Sequence, residues 1–315
     1  MNNLNLSPTN QLNLYGYDQN FIKMIDLYNN KKLPNKILFS GAKGIGKSTF
    51  SYHLINYILS KNENFKYDLD NKKINENNKS HLLLKNNTHP NFFIIDLLEG
   101  KKNIEISQVR EMINFVNKSS FNNNERIILI DNAECLNISS INALLKTIEE
   151  PNKNVLFLLI FDSNKKIKDT LKSRCIKFNF FLNFKEKLEV TNKVIDNDIR
   201  SIISEEFINS YFTPGDYINL LNFSVENKIN LTDHNLKTFI NYLIVNSSYK
   251  KDIYIKNNIY KFIEFYFLNL LNLSKSKIKT INHFHYFVNK ISETKKYNLD
   301  QESLFIEFKS NILNG

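Results

Sequence analysis

Along the first 180 positions, apolar residues come in short blocks separated by polar stretches rich in Asn and Lys. The spacing within each block distinguishes strand from helix. Residues 1–35 are polar with scattered apolar anchors. Ile37-Leu38-Phe39 is short and uninterrupted, the pattern of a buried strand, and Phe50, Leu54, Tyr57 and Ile58 follow at helical spacing. Residues 61–88 show little periodicity and read as a surface insertion. Residues 92–95 predict a second strand. A helix from about Ser107 carries Val109, Met112, Ile113 and Val116 on one face. Residues 127–130 form a third strand ending at Asp131. The next helix has Ser139 or Ser140 as its cap, Ile141, Leu144, Leu145 and Ile148 as its apolar face, and Pro151 as its stop. Residues 155–161 are long and apolar, as expected at the centre of a parallel sheet. Residues 176–180 predict a fifth strand.

Beyond residue 182 strands fade and the pattern turns helical. Residues 259–273 are apolar on nearly every side, with Tyr260, Phe262, Phe265, Tyr266, Phe267 and Leu270. Such a helix is buried, either in an ordinary core or in a subunit contact. No internal repeat is visible. The expectation is an α/β domain with a parallel sheet followed by all-helical segments.

Composition narrows the class. Of 315 residues, 42% are hydrophobic, enough for a sizeable core. The longest apolar run, 155–161, is far too short to cross a bilayer, and residues 1–10 lack both the basic start and the apolar centre of a signal peptide. A cytoplasmic protein with no membrane partner is expected. Cys135 and Cys175 form neither a disulfide framework nor a zinc spacing, and read as small buried residues in a reducing compartment. The net charge of +10 has two readings: a DNA-facing surface, or a chain-wide preference for Lys over Arg. Only four of the 42 basic residues are Arg, and no basic stripe with interleaved aromatics stands out.

Between the first strand and its helix lies Gly41-Ala42-Lys43-Gly44-Ile45-Gly46-Lys47-Ser48-Thr49, a complete P-loop pattern. Glycines let backbone N–H groups turn toward phosphate oxygens, and the helix N-terminus adds partial positive charge. Lys47 would reach the β- and γ-phosphates, and Ser48 would offer a hydroxyl to Mg²⁺. Asp131, ending an apolar strand, suits the same ion.

Three further strings carry a resemblance: Asn142-Ala143-Leu144-Leu145-Lys146-Thr147-Ile148-Glu149-Glu150-Pro151, Ser173-Arg174-Cys175, and Gln108-Val109-Arg110-Glu111 within the run 106–113. With the P-loop, over about residues 14–181, they resemble the clamp-loader subunits of bacterial DNA polymerase III, which are AAA+ proteins. His89-Pro90 and Asp131-Asn132-Ala133-Glu134 resemble the delta-prime branch of that family. The resemblance implies an AAA+ nucleotide-binding domain over 1–182, a helical lid over 183–224 and a helical collar over 225–315. It implies a non-polymerising subunit of the polymerase holoenzyme, held with gamma/tau and delta subunits in a pentameric ring. That ring opens the sliding clamp and loads it onto primer-template DNA. In the family, the Ser-Arg-Cys arginine, here Arg174, acts on a neighbouring subunit's ATP site. The plain alternative is a structural Arg paired with a carboxylate. Arg110 and Arg126 read as structural ion pairs.

The chain also departs from the family pattern. Motor subunits place a glutamate directly after the strand's Asp, where this chain has Asn132. Pro214-Gly215-Asp216 resembles the lid motif, with Asp216 where an arginine would follow the glycine. Residues 61–88 hold no cysteine where relatives carry a zinc module, so no zinc is expected. ATP and Mg²⁺ are therefore expected to bind, with ATPase activity weak or absent. The alternative is a hydrolysing AAA+ motor subunit.

Overall fold

The computed structural model describes residues 4, 5, 7–118, 125–149, 154–208, 211–273 and 277–314. It divides into two compact units. The sheet unit comprises the described residues of 4–194 together with 213–216. The helical unit comprises those of 195–212 and 217–314. The expected functional boundaries at 182 and 224 do not coincide with this division. Among the described residues, no helix is long and apolar enough to cross a membrane.

In the sheet unit five strands pair in parallel in the order β2-β3-β4-β1-β5. They are β1 (Lys36–Gly41), β2 (Phe92–Ile95), β3 (Arg126–Ile130), β4 (Val155–Asp162) and β5 (Ile176–Asn179). All five coincide with segments read as strands from the sequence; β1 to β4 carry apolar runs, while β5 alternates apolar and polar residues. The longest, β4, holds the centre, where Leu158 pairs with Ile37 on one side and Leu129 on the other. Alternation of side chains across the pleat explains why the runs are continuous. Ile127, Leu129, Leu156, Leu158 and Ile160 enter the core on one face, while Ile128, Ile130, Phe157, Leu159 and Phe161 enter the core on the other. The first face is covered by α1 (Asp18–Asn29) and α2 (Lys47–Leu59), the second by α4 (Ile106–Asn117), α5 (Ile138–Glu149) and the short α6 (Asp169–Lys172). Helix α7 (Phe184–Ile195) follows β5.

Three local readings need correction. The segment 61–88 is no simple surface insertion. It contains α3 (Lys79–Lys85), capped by Asn78, and it sends Tyr67, Ile74 and Leu84 into the core shared with α2. Its abundant Asn residues are partly structural. Asn78 accepts from Asn56 Nδ2 (3.0 Å) and from the His81 N–H (2.7 Å), and its own amide donates to the Phe65 carbonyl (2.6 Å). Second, α5 is capped by Asn137, whose Oδ1 accepts from the Ser140 N–H at 2.8 Å, and not by Ser139 or Ser140. The Ser140 hydroxyl is buried and donates to Ile104 O. Pro151 lies outside the described residues. Third, Arg126 is structural, but it bonds carbonyls rather than a carboxylate. Only 4% exposed, it donates to Phe115 O (2.9 Å) and Val116 O (2.6 Å), closing the C-terminal end of α4.

The helical unit contains α8 (Glu205–Ile208), α10 (Leu236–Val245), α11 (Ser248–Lys251), α12 (Ile253–Leu273), α13 (Lys277–Tyr297) and α14 (Gln301–Phe308). It also holds all but the first turn of α9 (Pro214–Glu226). Helix α12 packs against α10, α11 and α13, with Ile255, Ile259, Phe262, Ile263 and Phe267 buried. Phe262 meets Phe212 and Phe239 edge-on at 5.8 and 5.3 Å, and Phe267 stacks on Phe287. These rings make α12 the core of its own unit. An ion pair between Lys290 and Glu307 joins α13 to α14.

Candidate nucleotide-binding site

The site sits at the carboxyl end of β1, where the chain turns into α2. Gly44 and Gly46 have positive φ (79° and 97°), which side chains rarely tolerate, so the loop needs glycine at both. Gly41 is required by crowding: a Cβ there would lie 2.7 Å from the Phe180 carbonyl oxygen. Lys43 and Gly44 are exposed, Ala42, Gly46, Ser48 and Thr49 are half-buried, and Ile45 is buried under the loop. The Lys47 ammonium is buried and donates to the loop carbonyls of Gly41 (2.8 Å) and Ala42 (2.7 Å). Desolvation pulls its pKa below the usual lysine value, against the opposing pull of Asp131, Asp162 and Glu134.

The sequence-predicted partners meet here. Ser48 Oγ donates to Asp131 Oδ2 at 2.5 Å across 83 residues of chain. Burial pushes the Asp131 carboxyl upward, and nearby Asp96 pushes the same way, while the Ser48 hydroxyl and Lys47 favour the anion. Lysine, hydroxyl and carboxylate thus converge beside a glycine loop at a helix N-terminus. That donor set suits a polyphosphate anion with a divalent cation.

Asn132 is turned away from such a role. It sits at φ 51°, and its amide donates to Asp96 Oδ1 at 2.7 Å, so it braces the ends of β2 and β3. Glu134, two residues on, is also committed: its side chain is 2% exposed, one oxygen accepts from the Asp162 N–H and the other pairs with Lys165 at 3.3 Å. Asp216 is likewise used locally. Its Oδ2 accepts from the N–H and hydroxyl of Thr213, both at 3.0 Å, forming a capping box at the start of α9 with Pro214 in the first helical position.

Two features of the site were not legible in the sequence. The Tyr17 hydroxyl donates to Ile45 O (2.8 Å), and its ring packs against Phe50 and Phe180, so a residue from the polar N-terminal stretch braces the loop. In addition, the Gly215 N–H donates to Gly44 O at 2.9 Å, bringing the first turn of α9 onto the P-loop. A Cβ at Gly215 would stand 2.8 Å from Gly44 Cα, which explains the glycine. Arg174 is not part of this network. It lies between α6 and β5, and its Nε and Nη2 meet Glu149 Oε1 at 2.6 and 2.5 Å.

A family model described as "DNA polymerase III, delta subunit" matches residues 17–183, more than half of the chain. The delta' subunit of Pseudomonas aeruginosa DNA polymerase III is 36% identical over 95 residues, covering 30% of this chain and 29% of that protein. The gamma/tau subunit of Mycoplasma genitalium is 26% identical over 337 residues, covering 92% of this chain and 54% of that protein. The delta' subunit of Buchnera aphidicola from Acyrthosiphon pisum is 26% identical over 289 residues, covering 86% and 84%. The match spans under a third of the first of these proteins and about half of the second. The matched region contains β1, the P-loop, Asp131 and Arg174, and on that ground the chain belongs to the DNA polymerase III delta subunit family, among relatives that are delta-prime subunits.

Proposed function

We propose that this chain is the delta-prime subunit of a clamp loader: it binds ATP with Mg²⁺ but hydrolyses it slowly or not at all, and it serves a neighbouring ATPase subunit. Lys47 would face the β- and γ-phosphates, and Ser48 and Asp131 would hold Mg²⁺. When bound, the ion would neutralise phosphate charge. Arg174 would stabilise charge developing at the ATP of an adjacent gamma/tau subunit, a role that planar guanidinium suits better than ammonium. Residues 183–224 would act as lid and 225–315 as collar in a five-membered cytoplasmic ring with gamma/tau and delta, which places the sliding clamp on primer-template DNA.

The observation that carries this reading is the state of Asn132. The P-loop is complete, yet the position that would need a carboxylate to polarise water holds an amide already bonded to Asp96. A hydrolysing motor subunit is the second reading. It is favoured by the intact Lys47–Ser48–Asp131 set and by the likeness to a gamma/tau subunit over 92% of the chain.

The test is DNA- and clamp-stimulated ATP turnover in a loader reconstituted with its gamma/tau subunit. The intact chain is compared with Arg174→Ala and Lys47→Ala. Collapse with Arg174→Ala and little change with Lys47→Ala is expected. Damage by Lys47→Ala, together with turnover by the isolated chain, would establish the motor reading instead.

A further inference from the structure

The Arg174 guanidinium is held by one carboxylate oxygen. Its Nε and Nη2 converge on Glu149 Oε1 at 2.6 and 2.5 Å, and Nη1 donates to the Thr170 carbonyl at 2.9 Å. Glu149 is the last residue of α5, a helix end whose partial negative charge favours a cation. Two features make this a restraint and not a lock. The side chains are 37% and 48% exposed, and the contact uses a single oxygen where the strongest guanidinium pairs use two. An exposed pair of this kind biases an equilibrium by no more than about fivefold. A triphosphate carries several charges and offers many acceptor oxygens, so it can take the guanidinium from Glu149. Helix α5 also begins just after the Asp131–Glu134 segment, so one rigid element connects this chain's own phosphate site to the residue that holds Arg174.

We propose that Glu149 is the positioning residue for Arg174. It stores the guanidinium in the free subunit and releases it to a nucleoside triphosphate bound by an adjacent chain. This rests on the reading that Arg174 acts in trans. The ion pair then has a purpose that a purely structural arginine would not need. It keeps the cation oriented yet lets the docked anion decide when it moves, and it withholds charge from a neighbour that is not correctly seated.

Two readouts test this. The first uses the free chain, whose four arginines make a simple Nε–H spectrum in ¹⁵N-arginine-labelled protein. Arg174 should give a shifted, slowly exchanging signal that moves to the exposed position in Glu149→Gln, leaving the other three in place. The second is ATP turnover of the reconstituted loader without clamp or DNA. Glu149→Gln should raise it by up to about fivefold, with Glu149→Asp close to the native rate and Arg174→Ala abolishing it. An unmoved Nε–H signal, or turnover in Glu149→Gln at or below the native rate, overturns the proposal even where Arg174→Ala abolishes activity, and the in-trans reading then survives alone. Native turnover in Arg174→Ala removes both.

Discussion

His53 makes stability depend on pH as the pH falls below the ordinary histidine value. It lies on α2, six residues after the P-loop lysine, and is fully buried. Its Nε2 is 3.0 Å from the Gln11 carbonyl, which can only accept, so Nε2 carries the hydrogen and Nδ1 accepts from the Tyr67 hydroxyl at 2.9 Å. A second proton would bring charge into a site walled by the Phe21 and Tyr67 rings and would reverse the Tyr67 bond. Burial accordingly lowers the pKa from 6.5 to about 4. The unfolded chain then binds more protons than the folded chain between those values, so stability is fully present above pH 6.5 and lost as pH falls. The two pKa values give a loss of about 2 kcal/mol by pH 5 and about 3 kcal/mol by pH 4. The assay is urea unfolding from pH 7.5 to 4.5, for the native chain and His53→Gln. Titration of the carboxylates is common to both, so the difference between the two curves isolates His53. That difference should narrow by about 2 kcal/mol between pH 7.5 and pH 5. Parallel curves would contradict this account of His53, as would a ring that titrates near 6.5 by NMR.

Two further outcomes are expected around the P-loop. Gly215→Ala places a methyl 2.8 Å from Gly44 Cα and 3.0 Å from its carbonyl oxygen, and neither backbone can yield as a flexible side chain would. It should cost roughly 1–3 kcal/mol and weaken binding of a fluorescent ATP analogue; unchanged melting and affinity would mean the two segments are not in contact. Asp131→Asn removes a buried carboxyl whose pKa is raised in the folded chain, a group that stabilises least once pH exceeds its folded pKa. The variant should melt higher than the native chain at pH 7, lose that advantage in acid, and lose Mg²⁺-dependent nucleotide binding; a lower melting temperature at pH 7 would contradict this.

Much of the sheet unit was legible because its signals are local. A strand buried on both faces must be apolar at every position, so β1, β3 and β4 stood out as runs. A loop that wraps phosphate needs glycine, lysine and hydroxyl at fixed spacing, so 41–49 stood out as a motif. Asp131 stood out because it ends an apolar strand; that its carboxylate meets the Ser48 hydroxyl is what the fold adds. The buried anchors of 61–88 were hidden because Tyr67, Ile74 and Leu84 are too far apart to make a period, and surrounding Asn and Lys mask them.

The order of residues alone was enough to show a parallel α/β sheet, a P-loop pattern followed by an acid at the end of an apolar strand, and a Ser-Arg-Cys string of a known family. What each polar group does with its hydrogen bonds emerged only in the packed fold. Asn132 was legible as lacking a carboxylate, but its bond to Asp96 depends on β2 and β3 lying side by side. Asp216 was legible as standing where the lid motif carries an arginine, but that its carboxylate closes a capping box with Thr213 shows only in the fold. Arg174 and Glu149 are 25 residues apart in the chain and meet only because α5 and α6 pack together. One cause is common to all three. Burial and periodicity are written in residue types along the chain, whereas a hydrogen bond requires two groups within about 3 Å, a distance set by how the elements pack.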